Sequence, residues 1–356
     1  MCVLQLLGCV VFAVMAVYAV ASKWLLHPIV ASYYLSLTLS GFAFVGSLMC
    51  QVEWRHAAIV KSEKIYMLAV GILAASFSFW LLMYAPRSLH AFDAEAASVE
   101  MVGRLQALIS SRVKAARLEV DVPQAPEAPA LAVALPLALC GGALSALLMA
   151  PGLRYGRVLQ ALLKPPLWAR NFAGQSGLMK LLVQAGFIAQ VMMLPLWVAP
   201  LMDALPIPAA VVSYLRGGLM LVVVALQLLA LPQLVQAHLL IAAYKADIIH
   251  SLVDLDIHIR TNLVRRQITR TLAELCKVAI QLAFLPCLLL LCGSLYMLMA
   301  YPSPLAATYP KATQWDMQPS VLYQTLSGFL GWWACASYVG WATIGVVLTR
   351  AQGAAD

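Results

Sequence analysis

The chain has 356 residues, of which 63% are apolar and only 11% are charged, whereas soluble domains carry about 25% charged residues. This composition leaves too little polar surface for a protein dissolved in water, so it excludes a soluble enzyme. The net charge of +8 would suit nucleic acid if the basic residues formed a patch on a polar domain. They lie instead at the ends of apolar stretches, as in membrane proteins, and we expect no nucleic-acid partner.

Eight apolar stretches without Lys, Arg, Asp or Glu predict transmembrane helices, because about twenty helical residues cross the ~30 Å hydrocarbon core of a bilayer. The predicted spans are Cys2–Ser22, Ile29–Gln51, Ile65–Ala85, Leu131–Ala150, Leu181–Met202, Gly218–Leu240, Val278–Ala300 and Val321–Leu348. We therefore predict an all-α, polytopic membrane protein with about eight transmembrane helices and additional amphipathic helices at the membrane interface.

The distribution of basic residues predicts how these helices are oriented. The segments after the second, fourth and sixth spans, together with the tail, contain 15 Lys and Arg residues, and the remaining segments contain 8. Basic residues beside a span resist translocation. We therefore expect both termini on the cytosolic or matrix side.

Residues 86–130 separate three predicted spans in residues 1–85 from the rest of the chain, on the translocated side. An amphipathic helix is predicted within Leu89–Leu118, followed by a Pro-rich linker. The helix could lie along the membrane interface, under a partner, or over its own protein. The apolar residues that recur at intervals of three and four are Val102, Leu105, Ile109 and Val113.

Residues 131–245 contain the predicted spans four to six, and the fourth span carries a stripe of small residues. Such a stripe allows a second helix backbone to approach closely in lipid, where close packing drives helix association. The pattern predicts a packing surface and leaves open whether the neighbour belongs to this chain or to another. The residues of this stripe are Ala134, Ala138, Gly142, Ala146 and Ala150.

Residues 246–277 are predicted to extend the sixth span as a basic amphipathic helix. Its apolar stripe, from Ile248 to Leu263, has the spacing of a helix that packs on another helix. Its basic residues would contact lipid headgroups or an acidic partner. These residues are Arg260, Arg265, Arg266, Arg270 and Lys277.

The same helix contains the best candidate metal ligands of the chain. His250, Asp254 and His258 recur every four residues, so their side chains could converge on one helix face, and imidazole with carboxylate suits zinc. A third or fourth protein ligand from elsewhere is not evident. The same spacing also suits ordinary charge contacts along a helix, so we predict no metal cofactor.

Residues 278–356 contain the last two predicted spans and a short tail, and they add no catalytic motif. Across all eight predicted spans, ionisable side chains are nearly absent. Arg216 and Asp203 border one end of the sixth span and could pair. The last span contains three aromatic residues close together, Trp332, Trp333 and Tyr338. They could pack against neighbouring helices or line a lipid pocket. Glutamines could line a path for a neutral solute or link helices, namely Gln184, Gln190, Gln227, Gln233 and Gln281.

Several segments of the chain resemble the transmembrane protein 161 family of multi-pass eukaryotic membrane proteins. They are Pro151-Gly152-Leu153-Arg154, the run from Gln236 to Ala246, Gln281–Gly293 with Pro286, and Gly331-Trp332-Trp333-Ala334. Their order and spacing agree over about the last two thirds of the chain, and the first three spans agree loosely by hydropathy. Family members generally carry an additional amino-terminal span and a polar region. The resemblance implies an α-helical membrane protein without known catalytic residues, and implies modulation of ion currents.

These observations predict a non-enzymatic integral membrane protein that acts by contact, as an accessory or scaffold subunit of a larger membrane complex such as a respiratory-chain complex. The alternatives are a modulator of ion channels, as the family implies, and a transporter or lipid-binding protein. We expect membrane lipids and other membrane subunits as partners, structural phospholipids, and no cofactor. The mitochondrial inner membrane is favoured as the location over endomembranes and the plasma membrane.

Overall fold

The computed structural model describes residues 61–86, 89–115, 130–163, 177–204, 206–254, 278–279, 281–297 and 320–352. The first two predicted spans, most of the basic helix and the Pro-rich linker lie outside these ranges. Every regular element within them is a helix, and the one isolated bridge pairs His90 with Val198. The prediction of an all-α protein is therefore confirmed.

The described residues form eight helices and one 3₁₀ turn. The turn is Pro195–Trp197. The helices are α1 Lys61–Met83, α2 Ala94–Ala115, α3 Leu131–Leu163, α4 Gly177–Met193, α5 Ala199–Asp203, α6 Ala209–Asp254, α7 Gln281–Met297 and α8 Val321–Gln352.

Five of the described helices are long and apolar enough to cross a membrane, within Ile65–Met83, Leu131–Leu163, Gly177–Trp197, Val211–Ala237 and Val321–Arg350. Helix α7, in the seventh predicted span, is a shorter apolar helix. The described residues thus support a polytopic membrane protein. The number of about eight spans is not confirmed.

The fifth predicted span, Leu181–Met202, is not one helix. Helix α4 ends at Met193, and Pro195 starts the 3₁₀ turn, after which Val198 is extended at φ −89° and ψ 106°. Proline lacks the amide hydrogen that would continue a helix, and its ring collides with the carbonyl four residues earlier. The chain therefore bends here before α5 begins.

Proline has the opposite outcome in α3 and α6, which continue past it. Helix α3 extends beyond the predicted Ala150 to Leu163 and contains Pro136 and Pro151. Helix α6 contains Pro232 and runs unbroken to Asp254. The predicted continuation of the sixth span into a polar helix is thus observed as far as Asp254.

Helix α3 lies at the centre of the described bundle, with its most extensive contacts to α8 and then to α1. Helix α4 packs on α6, and α2 packs on α8 and α3. Leu137 and Leu148 of α3 are almost fully buried in the core, as are Phe329 and Tyr338 of α8. In contrast, α1 exposes large apolar side chains along its length, as expected for a helix with one face toward lipid.

Glycines allow α3 to approach both of its neighbours. A Cβ atom added to Gly142 would lie 2.5 Å from the Gly71 carbonyl oxygen and 2.7 Å from Cβ of Ala75, both on α1. A Cβ atom added to Gly156 would collide with the Ala342 carbonyl oxygen on α8. Another at Gly345 would lie 2.5 Å from the Leu153 carbonyl oxygen. Both interfaces therefore bring helix backbones into direct contact.

Candidate functional site

Polar side chains inside the bundle link one helix to another. The Trp333 indole donates hydrogen bonds to the Gly141 carbonyl at 2.9 Å and to the Ser145 hydroxyl at 2.8 Å, joining α8 to α3. The Ser145 and Ser337 hydroxyls lie 2.8 Å apart across the same interface. These groups satisfy one another in a water-poor interior, where an unpaired polar group is costly.

The glutamines proposed to line a path do not share one environment. Gln190, Gln227 and Gln281 are buried, whereas Gln184 is exposed and Gln233 is half-buried. The Gln281 side chain accepts a hydrogen bond from Arg154 at 2.5 Å, which joins α7 to α3. The Gln190 backbone carbonyl, rather than its side chain, accepts a weaker contact from the Cys335 thiol at 3.6 Å. Among the glutamine side chains, the Gln281 contact is therefore of the helix-linking kind.

A second polar region lies where the α1–α2 and α4–α5 connections meet. The Ala91 amide donates to the Trp197 carbonyl at 3.1 Å, and the Ala199 amide donates to the Leu89 carbonyl at 3.2 Å. These reciprocal bonds form the antiparallel bridge between His90 and Val198. We name the paired segments 89–92 and 197–199 the clasp, because they fasten two connections that are about a hundred residues apart.

Four side chains stack through the clasp. The Arg216 guanidinium lies over the Trp197 ring at 4.8 Å from its centroid. Trp197 stacks on Phe92 at 5.0 Å, and Phe92 stacks on His90 at 5.8 Å between ring centroids. Gly328 of α8 makes room for Trp197, since an added Cβ atom there would collide with the indole. The stack thus has a cation at one end and an imidazole at the other.

Arg216 does not pair with Asp203, the partner that the sequence suggested. Its Nε donates instead to the Leu196 carbonyl at 2.8 Å, and its guanidinium faces Trp197. A cation over an aromatic face contributes about 0.5–2 kcal/mol, depending on its desolvation. This contact anchors α6 to the clasp.

His90 is the buried ionisable group of the clasp, with 8% of its surface exposed. Its Nδ1 accepts a hydrogen bond from the Phe92 amide at 3.3 Å, while Nε2 has no hydrogen-bond partner in the described part of the chain. Burial lowers the pKa of His90 below its ordinary value of 6.5; the backbone of Leu81 and the Asp93 charge oppose this only in part. His90 is therefore neutral near pH 7.

Glu100 of α2 binds the start of α8. Its carboxylate accepts hydrogen bonds from the Ser320 hydroxyl at 2.7 Å, the Leu322 amide at 2.8 Å and Arg104 Nε at 2.8 Å. Burial opposes the charged form, but these hydrogen bonds outweigh it, so the pKa of Glu100 is lowered. A carboxylate at a helix amino terminus also interacts favourably with the helix dipole.

The two faces of α2 have different surroundings. The sequence predicted a helix that lies along the membrane interface, under a partner or over the rest of the chain. In the structure the polar residues Glu100 and Arg104 contact α8, and Arg104 also lies over the Tyr323 ring at 5.4 Å. Leu105 and Ile109 are exposed beyond this contact.

The small-residue stripe of α3 has neighbours within the chain. Ala134 and Ala138 are buried, and Gly142 contacts Gly71 and Ala75 of α1. Ala146 lies 3.5 Å from the position of a Cβ atom on Gly71, and Ala150 is half-buried.

The other predicted site residues are not tested. His250 and Asp254 lie on the last turns of α6, whose side chains there are not described, and His258 lies outside the described residues. The described residues contain no group of three potential metal ligands. The predicted lipid-contact residues also lie outside the described residues, namely Arg260, Arg265, Arg266, Arg270 and Lys277.

The sequence reasoning missed His90, Phe92 and the role of Glu100. One local signal was present: Asp93 precedes α2, and its carboxylate accepts a hydrogen bond from the Ala96 amide at 3.0 Å, as an N-cap residue does. This would have located the start of the helix. The Ser320 and Leu322 partners of Glu100 and the Val198 partner of His90 lie more than a hundred residues away, and no spacing rule indicates them.

The helical bundle, with its lipid-facing apolar surfaces and internal helix-linking polar groups, defines an α-helical integral membrane protein. A family model described as predicted transmembrane protein 161AB matches residues 2–300, and the chain belongs to this family. The match includes the amino-terminal spans and ends before α8, so the resemblance of Gly331-Trp332-Trp333-Ala334 lies outside it. No curated protein and no solved structure matches the chain.

Proposed function

We propose that this protein is a non-enzymatic integral membrane protein that acts by contact, as an accessory or scaffold subunit of a larger membrane assembly. The observation that supports it is the use of the buried polar groups. Trp333, Ser145 and Arg154 bind groups on neighbouring helices and so stabilise the bundle. Side chains arranged in this way hold a rigid shape that a partner can bind.

The outer faces of three helices are candidate contact surfaces. Leu73 on α1, Leu181 on α4 and Leu229 on α6 are 70%, 65% and 63% exposed. Such faces meet either lipid or the helices of other subunits, and both surroundings are apolar. A scaffold subunit requires at least one of these faces to be covered by protein.

Site-specific photo-crosslinking tests this proposal in the native membrane. A photoreactive amino acid is placed at Leu73, Leu181 or Leu229, and at the buried Leu148 as the matched control. We expect at least one outer position to give a protein adduct of defined mass, and the control to react only within the chain. The adduct partner should co-migrate with the full chain in native electrophoresis after gentle extraction.

Removal of the chain provides a second measurement. The assembled complex that contains the adduct partner should decrease when the chain is depleted, and it should recover when the chain is restored. Lipid adducts alone at all three positions, with migration as a free monomer, would contradict the proposal. Solute flux through the purified single chain in liposomes would also overturn it, in favour of transport.

The proposed location is the mitochondrial inner membrane, where accessory subunits of large complexes are common. Submitochondrial fractionation with protease protection checks this proposal. Recovery of the intact chain in endomembrane or plasma-membrane fractions would move the proposed assembly to that membrane without changing the proposal of a contact function.

A further inference from the structure

The clasp contains a hydrogen bond whose direction depends on the protonation state of one side chain. The Phe92 amide donates to Nδ1 of His90 at 3.3 Å, so the Nδ1 lone pair is occupied by this bond. The proton of the neutral imidazole must therefore be on Nε2. A second proton can bind only at Nδ1, where it would face the Phe92 amide hydrogen.

Protonation therefore replaces an acceptor with a donor at a buried position. The Phe92 amide loses its partner, and a buried polar group without a partner destabilises the closed clasp. Phe92 belongs to the stack with Trp197. Its neighbour Ala91 donates to the Trp197 carbonyl. A displacement of Phe92 thus acts directly on both elements that hold the clasp closed.

The surroundings of His90 compensate for a positive charge only in part. Within the described residues, the charged groups that face this stack are Asp93, on the same segment, and Arg216, beyond Phe92 and Trp197. Arg216 is itself a cation, and from α1 the Leu81 backbone favours the protonated imidazole, but less than burial opposes it. Two aromatic rings of α8 contact the Phe92 ring, those of Phe329 and Trp332. Asp93 is already engaged as the N-cap of α2.

We propose that His90 makes the clasp sensitive to acid, so that protonation of its Nδ1 releases segment 89–92 from segment 197–199. The ligand is the proton itself, taken from the aqueous compartment at this end of the bundle. Opening the clasp frees the α1–α2 connection from the α4–α5 connection, while the contacts of α3 with α1 and α8 remain. The change is confined to the clasp, and the bundle around α3 stays intact.

The pH range in which the clasp opens follows from the direction of the pKa shift of His90. Burial holds the pKa of His90 below 6.5 in the closed clasp, whereas an open clasp returns the pKa toward that ordinary value. Between the two values the open form binds more protons, so the closed form loses stability as pH falls below 6.5. Near neutral pH both forms are unprotonated and the clasp stays closed.

Hydrogen exchange of the purified full chain in lipid nanodiscs, measured by mass spectrometry, tests the proposal. The peptides that contain Ala91 and Ala199 are compared at about pH 7.5 and about pH 4.5, with exchange times corrected for the intrinsic rate. We expect exchange of these two amides to be at least about threefold faster at the lower pH. Peptides from the middle of α3 should be unchanged.

Substitution His90→Asn is the decisive variant, because its side-chain oxygen retains an acceptor near the Nδ1 position and does not titrate. Its clasp should stay protected at both pH values. The control His238→Asn, at another histidine, should retain the acid response. An acid response of the same size in His90→Asn, or no response in the unmodified chain, would overturn the proposal. If His90→Asn does not fold, the same comparison is made with His90→Gln.

Discussion

The centre of the bundle and the clasp region are held together by different forces. Around α3, glycines such as Gly142 and Gly156 let backbones touch, and hydrogen bonds are enclosed between helices. Around α2, a carboxylate, an imidazole and a guanidinium fasten the connections. Close packing in a membrane interior does not depend on pH or salt, whereas the second set of contacts does. The first region therefore provides a constant framework, and the second can respond to its surroundings.

The largest effect is expected from crowding the α3–α8 interface. Gly156→Ala places a methyl group against the Ala342 carbonyl, and relieving this overlap requires the backbones to separate. We expect a loss of stability of about 3 kcal/mol, at the upper end of overpacking effects. Thermal unfolding in detergent, followed by tryptophan fluorescence, measures it.

The matched control for this change is Gly340→Ala on α8, where an added Cβ atom has no neighbour within 4 Å. It should change stability by less than about 1 kcal/mol, in either direction. Equal losses in both variants would show that the glycines contribute only to backbone flexibility, and that direct backbone contact is not required.

A smaller effect is expected from the enclosed hydrogen bonds of Trp333. Trp333→Phe removes the donor to Gly141 and Ser145, and we expect a loss of about 1–2 kcal/mol. Combination with Ser145→Ala should show a coupling of about 0.5–1 kcal/mol in a double-mutant cycle. Trp80→Phe, at a side chain that is 49% exposed on α1, is the control. Additive losses would mean that the hydrogen bond between Trp333 and Ser145 does not stabilise the bundle.

The smallest effect is expected from Glu100→Gln, which removes the charge at the start of α8. This partly exposed contact should contribute about 1 kcal/mol. Because the folded-state pKa of Glu100 is lowered, its contribution is present above the ordinary value of 4.5 and is lost as pH falls through the folded-state pKa. Unfolding measured from neutral to acid pH should therefore show a steeper decline in the unmodified chain than in Glu100→Gln.

Asp203→Asn, at an exposed carboxylate on α5, is the control for this comparison and should follow the unmodified chain. A pH profile of Glu100→Gln identical to that of the unmodified chain would show that the carboxylate does not stabilise α8. The difference between the clasp region and the centre of the bundle would then depend on the contacts of His90 and Arg216 alone.

The predicted spans illustrate what a one-dimensional pattern can and cannot specify. Helix α4 ends just before Pro195, but Pro151 lies within α3. Each proline lacks the amide hydrogen that would donate the helical hydrogen bond to the carbonyl four residues earlier. The difference lies in the neighbours. Beyond Pro151, Gly152 and Gly156 pack closely on α8, whereas Trp197, after Pro195, enters an aromatic stack outside the helix. Residue type indicates where a break is possible, and tertiary contacts decide whether it occurs.

The sequence by itself determined the solvent, the helical class and the approximate positions of the apolar spans, because the transfer of apolar side chains into lipid depends on composition and length alone. It also indicated α2 as an amphipathic helix. Only the tertiary structure decided which face of α2 is covered, and that His90, Phe92, Trp197 and Arg216 form one stack. The contact of Phe92 with Trp197 joins residues far apart in the chain, and its free energy depends on distance and burial, which arise only when the helices have packed.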